Sequence, residues 1–359
     1  MLGEKERVRV KWWEKEILDQ VAQDRATLKS INPIYAKRIL QIFSYPLNPG
    51  NDSYVKKIIE NGEHLGIYEK SENNEKSRAD HRNDLYTYGN LHINKVIRSA
   101  VNMPNIAGIF ITNPIKEYLD PQNYQKLYQK LIDHTGTKDI DGQSTENKNR
   151  LKDFSQSLEW AIVHPTSLSV LSLLQKTLET TNLQGKKILF AGKDGNFWSM
   201  IATTLERAGA ITIGYNPREF KDKQENQDNR YRTIQQTKPD AVVSVIRGVN
   251  HFKKDYFEGF DGPIIDVTTE KDKETGRTAW SIDRVSCQDI PNIYIPSING
   301  GVGTITSARL MDNFSRCIIN TEIAKWLHPE IFSGLQETRS YVNFWLEKIK
   351  KVETEELAG

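Results

Sequence analysis

Between residues 165 and 295 the chain alternates short apolar runs with segments of helical spacing, and no other feature restricts its fold as much. The helix-like SLSVLSLLQKTLETT precedes GKKILFAG, WSMIATTLERAGA precedes ITIGYNP, and the apolar runs DAVVSVI, GPIIDVTT and NIYI follow. A helix between two strands carries the chain back to the end it started from, so such strands pair in parallel. The pattern predicts a doubly wound, Rossmann-like parallel sheet.

The first half also reads as α/β. Residues 14–30 have helical spacing, RILQIFSYPL is strand-like, and SYVKKIIENGEHLGI is a helix that stops at Gly66. NLHINKVIRSAVNM is a helix, AGIFITNP a buried strand ended by Pro114, YQKLYQKLIDH a helix and TKDIDGQST a polar loop. Residues 69–85 are polar and poor in apolar side chains, which predicts a surface insertion or mobile loop. SARLMDNFSRCIINTEIAKWL is a last helix that can return to the first half.

A length of 359 residues suits about two domains. With 49 basic against 47 acidic side chains the formal charge is +2, which gives no electrostatic case for nucleic acid or an acidic membrane as partner. No apolar run approaches the ~18 residues that span a bilayer. The charged start, MLGEKERVRVKWWEKE, lacks an apolar core, so it is not expected to act as a signal peptide. Cys287 and Cys317 form neither a CxxC pair nor a disulfide framework, as expected in a reducing cytoplasm. The seven histidines show no metal-ligand spacing, so no metal is expected.

Three segments carry candidate chemistry. GKKILFAGKDGNFWSM is a strand, loop and helix start, where a dinucleotide pyrophosphate would rest on backbone N–H groups. The full GxGxxG is missing, because Trp198 and Met200 fill the later slots, and taken alone the segment reads better as a bare α/β turn. KDIDG places Asp139 and Asp141 before a glycine in a loop, which by itself reads as an Asx-type turn. PSINGGVGTIT sets glycines between a strand and a helix, either as a turn or where backbone lies flat against a ligand.

Taken in this order, the segments resemble the methylenetetrahydrofolate dehydrogenase/cyclohydrolase family. SYVKKIIENGEHLGI is similar to its tyrosine-bearing helix, with the same distance from Tyr54 to Gly66, and AGIFITNP to its GILVQLP strand. KDIDGQSTENKNRL resembles KDVDGFHPxNxGRL, HPTSLSVLSLL resembles PCTPxGVxxLL, and GKKILFAGKDGNFWSM resembles GKxxVVxGRSxxVGxP. GPIIDVTT and NGGVGTIT are similar to GAxVIDVG and PGGVGPMT.

The resemblance implies two α/β domains around a cleft: residues 1–163 with the helical end 318–359, and a dinucleotide-binding type at 164–317. It implies a tetrahydrofolate derivative as substrate, NAD or NADP as cofactor, and a homodimer. Tyr54, Lys57 and Asp141 are the implied catalytic residues. Tyr54 would flank the pterin and aminobenzoate rings, and Asp141 would accept from the pterin's amidine edge. Thr112, Asn299, Gly300, Gly301, Val302 and Thr306 are further implied folate contacts. Thr166, Gly192, Lys193, Asp194, Arg218 and Gly303 are the implied cofactor contacts.

Departures from the family shape the expectation. Ile58 stands where the family has its cyclohydrolase lysine, and isoleucine cannot move a proton. Lys57 is one residue earlier, and Thr112 replaces the glutamine that tunes that lysine. Lys193-Asp194 replace Arg-Ser, Trp198 and Arg247 replace glycines, and Thr304 replaces a proline. The expected activity is oxidation of 5,10-methylenetetrahydrofolate, with cyclohydrolase weak or absent. The alternatives are a folate enzyme that handles a one-carbon unit without NAD(P), or a non-catalytic folate-binding protein.

Overall fold

The computed structural model describes residues 4–31, 33–44, 49–68, 82–84, 89–112, 124–155, 161–192, 195–215, 233–246, 250–268, 270–271, 278–283, 285–295 and 300–319. The chain divides into two compact units, Lys15–Pro165 with Ser307–Gly359, and Met1–Glu14 with Thr166–Thr306.

The first unit is built on three parallel strands. Its elements follow helix α1 (Glu4–Ile31) and the single turn α2 (Pro33–Ala36). They are β1 (Ile39–Ser44), α3 (Pro49–His64), β2 (Arg82–Asp84), α4 (Gly89–Asn102), β3 (Ile106–Ile111), α5 (Tyr124–Asp133) and α6 (Thr145–Lys152). The sheet order is β2-β1-β3. β1 and β3 are buried along almost their whole length, which is why they read as continuous apolar runs.

β2 falls inside the stretch 69–85 that the sequence presents as a surface insertion. It pairs in parallel with Ile42–Ser44 at the edge of the sheet. An edge strand of three polar residues needs one partner and no apolar alternation, so nothing in its composition betrays it. Residues 69–81 and 85 lie outside the described residues.

α3 opens on Pro49, where the missing N–H costs no hydrogen bond. It closes as a Schellman motif: Ile67 donates to the Gly62 carbonyl (2.8 Å) and Gly66 to that of Glu63 (3.2 Å). Its inner face supplies Val55, Ile58 and Ile59 to a core that also holds Leu28, Phe110 and Phe314. Each such side chain contributes about 1.5–3 kcal/mol through burial. Ile58 is 0% exposed.

The second unit carries α7 (Pro165–Thr177), β4 (Lys187–Ala191), α8 (Gly195–Arg207), β5 (Ile211–Tyr215), β6 (Ala241–Ser244) and β7 (Ile264–Asp266). A short antiparallel pair follows, β8 (Glu270–Lys271) and β9 (Thr278–Ala279), then β10 (Ile293–Tyr294) and the first turn of α9 (Val302–Ile318), whose residues from Ser307 on belong to the first unit. The sheet order is β5-β4-β6-β7-β10, every pair parallel. This is a doubly wound order, and its winding reverses between β4 and β6.

α1 begins at Glu4, ahead of the expected residue 14. Its first turns belong to this second unit. Glu6 accepts the Asn292 N–H (3.1 Å), the Trp13 ring lies 6.1 Å from that of Tyr294, and the Lys176 ammonium stands 5.7 Å from the Trp12 ring. Charged helix formers hide the helix from an apolar-periodicity reading, while the contacts that fix it come from about 160–290 residues away in sequence.

Asp266, at the carboxyl end of β7, is fully buried. It accepts the Ser281 hydroxyl (2.9 Å) and the N–H groups of Ile282 (3.2 Å) and Thr268 (3.1 Å). These bonds tie the segment after β9 to the sheet. Burial outweighs them and pushes the acid up to about 6. The folded chain therefore keeps this proton where the unfolded chain has lost it. The stability linked to it is complete below about pH 4 and is lost as the pH rises through about 6. A change from 3.8 to about 6 corresponds to about 3 kcal/mol. Relative to Asp266→Asn, the wild-type unfolding free energy should fall by that order between pH 4 and 7. Parallel pH profiles in denaturant titrations of the two proteins would refute this.

Candidate functional site

The KDIDG loop leaves a 3-10 turn, Gly136–Lys138, and runs into α6. Its two acids have separate duties. Asp139 accepts the N–H groups of Asp141 (3.1 Å) and Ser144 (2.7 Å) and the side-chain amide of Asn147 (3.1 Å), so it is the residue that makes the turn. Ser144 caps α6 by accepting the Asn147 N–H at 3.3 Å. From α9, the Asn313 side-chain amide donates to the carbonyls of Ile140 (2.9 Å) and Val163 (2.8 Å), and the Asn147 side-chain oxygen accepts the Ile162 N–H (3.0 Å). Gly142 has φ 65°, and a Cβ there would stand 2.2 Å from the Ile162 carbonyl oxygen. The loop is thus held from several directions, and Asp141 is the acid left over.

Asp141 is 6% exposed and accepts from the Gln143 side-chain amide. Burial, and then the adjacent charge of Asp139, push its carboxyl well above the ordinary range, against the opposing pull of Gln143 and Lys148. The Lys148 ammonium donates to the Gln129 side chain at 2.6 Å, and burial lowers its own pKa. His164 comes within 3.9 Å, Nε2 to the Asp141 Oδ1, and is itself buried. Burial first, and Lys148 second, depress the imidazole to about 4, so it is neutral at pH 7.

Tyr54 on α3 is half-buried, its ring edge-on to Phe110 at 5.9 Å. Its phenol is pushed well above the ordinary range by burial and by the negative charge of Asp141, which places the two side chains in one electrostatic neighbourhood. Lys57, at i+3 from Tyr54, is half-buried while Lys56 is exposed. Thr112 follows β3, is buried, and donates its N–H to the Phe43 carbonyl (2.9 Å). This unit therefore gathers Tyr54, Asp141, Lys148 and His164. The sequence offered no reason to choose His164, because HPTS reads as the run into a helix. Its only signal was a histidine just ahead of a proline at the helix start.

In the second unit the glycine loops are placed by the fold itself. Gly300 has φ 90°, and a Cβ there would meet Arg7 of α1 at 3.0 Å. The N–H groups of Gly300 (2.7 Å) and Gly301 (3.3 Å) donate to the Thr304 hydroxyl. The amides that would face a ligand in a backbone cradle thus have an internal acceptor. Val302 and Gly303 lie in the first turn of α9, and the Thr306 hydroxyl donates to the Val302 carbonyl (2.9 Å) and is hydrogen-bonded with the Ser169 hydroxyl (3.1 Å).

Gly192 ends β4 against the backbone of Ile246, beside the point where the winding reverses. Thr166 is half-exposed in the first turn of α7. Trp198, in the first turn of α8, packs edge-on to Phe190 at 6.4 Å. Its indole N–H is buried and finds no acceptor among the described residues. Lys193, Asp194, Arg218, Arg247 and Asn299 lie outside the described residues.

No protein-family model matches the sequence, and no curated protein matches it. Solved structures do match in shape. A bifunctional FolD, methylenetetrahydrofolate dehydrogenase/cyclohydrolase, from Campylobacter jejuni is 20% identical with a TM-score of 0.66, over 87% of this chain and 97% of that one. The Trypanosoma brucei enzyme, solved with NADP cofactor and inhibitor, is 15% identical with a TM-score of 0.65, over 85% and 94%. A 5,10-methylenetetrahydrofolate dehydrogenase from the silkworm Bombyx mori is 18% identical with a TM-score of 0.60, over 86% and 95%. The chain has the fold of these enzymes.

Proposed function

We propose that the protein is a folate-dependent one-carbon enzyme that oxidises 5,10-methylenetetrahydrofolate with a nicotinamide cofactor, with cyclohydrolase activity weak or absent. The observation that carries this reading is Asp141. It is a buried acid, freed from structural duty by Asp139 and set beside Tyr54, in a chain with the fold of enzymes that use such a substrate. A reduced pterin offers two N–H donors on one edge, which a carboxylate accepts as a pair. Tyr54 would stack on the ring system, and Thr112 would border it.

Thr166, Gly192, Lys193, Asp194, Arg218 and Gly303 would hold the cofactor, with the Trp198 indole donating to it. A bound nicotinamide would supply the hydride acceptor for the methylene carbon. The chain's share is to hold the pterin so that this carbon is correctly presented. Ile58 leaves the hydrolytic step without its acid/base group, and Lys57, at i+3 from Tyr54 on α3, would be the amine to substitute.

A second reading, a folate enzyme that does not use NAD(P), is favoured by Thr304, whose hydroxyl already accepts from the loop amides of Gly300 and Gly301. Calorimetry with tetrahydrofolate, NAD and NADP, followed by a methylenetetrahydrofolate-dependent reduction assay, separates the two. Folate binding without nicotinamide binding overturns the oxidoreductase reading. Loss of a charged acceptor costs about 1.5–3 kcal/mol. Asp141→Asn should therefore weaken tetrahydrofolate by about 10–100-fold and leave the melting temperature within a few degrees. Unchanged affinity would place the folate elsewhere. A homodimer is the expected assembly, to be checked by light scattering.

A further inference from the structure

The buried Asp141 presents a difficulty for its own proposed task. A pterin edge with two donors needs a carboxylate, yet burial and the neighbouring Asp139 both favour the neutral acid, which keeps one acceptor oxygen and adds a donor. Gln143 and Lys148 oppose this and do not overcome it. The remaining group within reach is His164, with Nε2 3.9 Å from Oδ1 and both side chains buried. Contacts of this kind are often long in a ligand-free enzyme and tighten in the complex.

We propose that His164 is the positioning residue for Asp141, taking its proton when the donor edge of a reduced pterin docks so that the ligand meets a carboxylate. The inference rests on the folate reading above. The Oδ1–H bond breaks, the Nε2–H bond forms, and the pair stays neutral overall. With Asp141 protonated the imidazole is held neutral by burial and by Lys148. Ionised Asp141 would supply a counter-charge, so the two groups titrate as one system. Among the described residues, the other groups that bear on the pair are Tyr54 on α3, Lys148 on α6 and Asp139 in the loop, and Asp139 also acts on Cys317 of α9, which Arg316 opposes.

The proton count gives the test. In the wild type, docking transfers a proton inside the protein, so the dissociation constant should be flat between pH 6 and 8. In His164→Gln the proton must leave for solvent, so affinity should be lower at pH 6 and rise about tenfold per pH unit. 5-Formyltetrahydrofolate is the probe, measured by calorimetry, and His164→Asn serves as a second variant should the glutamine disturb folding. With ¹⁵N-histidine-labelled wild type, the His164 resonance should move from neutral imidazole to imidazolium on addition of the probe.

A neutral His164 in the complex, or a variant with the wild-type pH profile, overturns the proposal and leaves the folate site standing. Asp141→Asn binding as tightly as wild type, or no binding by wild type, overturns the folate reading and this inference with it.

Discussion

Ile58→Lys is expected to lower the stability of the three-stranded unit by about 4–5 kcal/mol and to create no hydrolytic activity. The position is the slot of the missing acid/base group, so the substitution looks like a restoration. The side chain there is 0% exposed and belongs to the core with Val55, Ile59, Phe110 and Phe314. A lysine amine at that depth must either stay neutral or distort the helix to reach water, and either choice costs several kcal/mol. Loss of the isoleucine packing adds to this. Thermal or urea unfolding should register the loss. A stable variant that hydrolyses methenyltetrahydrofolate would show instead that the α3 face can open towards a ligand.

Gly142→Ala should be nearly as damaging, by about 3–5 kcal/mol. The residue sits at φ 65°, where a side chain costs about 1–2 kcal/mol by itself. The added Cβ would lie 2.2 Å from the Ile162 carbonyl oxygen and 2.9 Å from the His164 nitrogen. Both contacts are backbone, so they yield only if the 161–164 segment moves. That segment carries His164, and the glycine adjoins Asp141. The same substitution should therefore weaken folate binding beyond the effect on stability. Gly136→Ala is the control, because Gly136 has a similar φ of 56° with nothing within 4 Å of the added carbon, and should cost only the backbone strain. Equal losses for the two would refute the steric account.

How much of this could be read in advance depended on whether the physical cause was local. The strands β3, β4, β6 and β7 were legible because parallel strands are covered on both faces and so consist almost entirely of apolar residues. β2 was not, because an edge strand of Arg82, Asn83 and Asp84 draws its stability from backbone bonds to β1. KDIDG was legible as a site of interest, but two acids two residues apart look alike in sequence. Only the directions of the Asp141 and Ser144 N–H groups separate the turn-maker from the free acid.

The GGVG loop followed the same division. Its glycines announced a close approach, and the folded chain supplied the partners: Arg7 of α1 against Gly300, and the Thr304 hydroxyl on the loop amides. His164 stayed hidden because its meaning comes from Asp141, 23 positions away in the chain and 3.9 Å away in space. Alternating apolar runs and helical spacing determined that this chain folds as α/β around parallel strands, since burial patterns are written in neighbouring residues. Long-range contact decided which acid is free, which histidine faces it, and which lysine-like slot is sealed in the core, because burial and charge neighbourhoods exist only once distant segments meet.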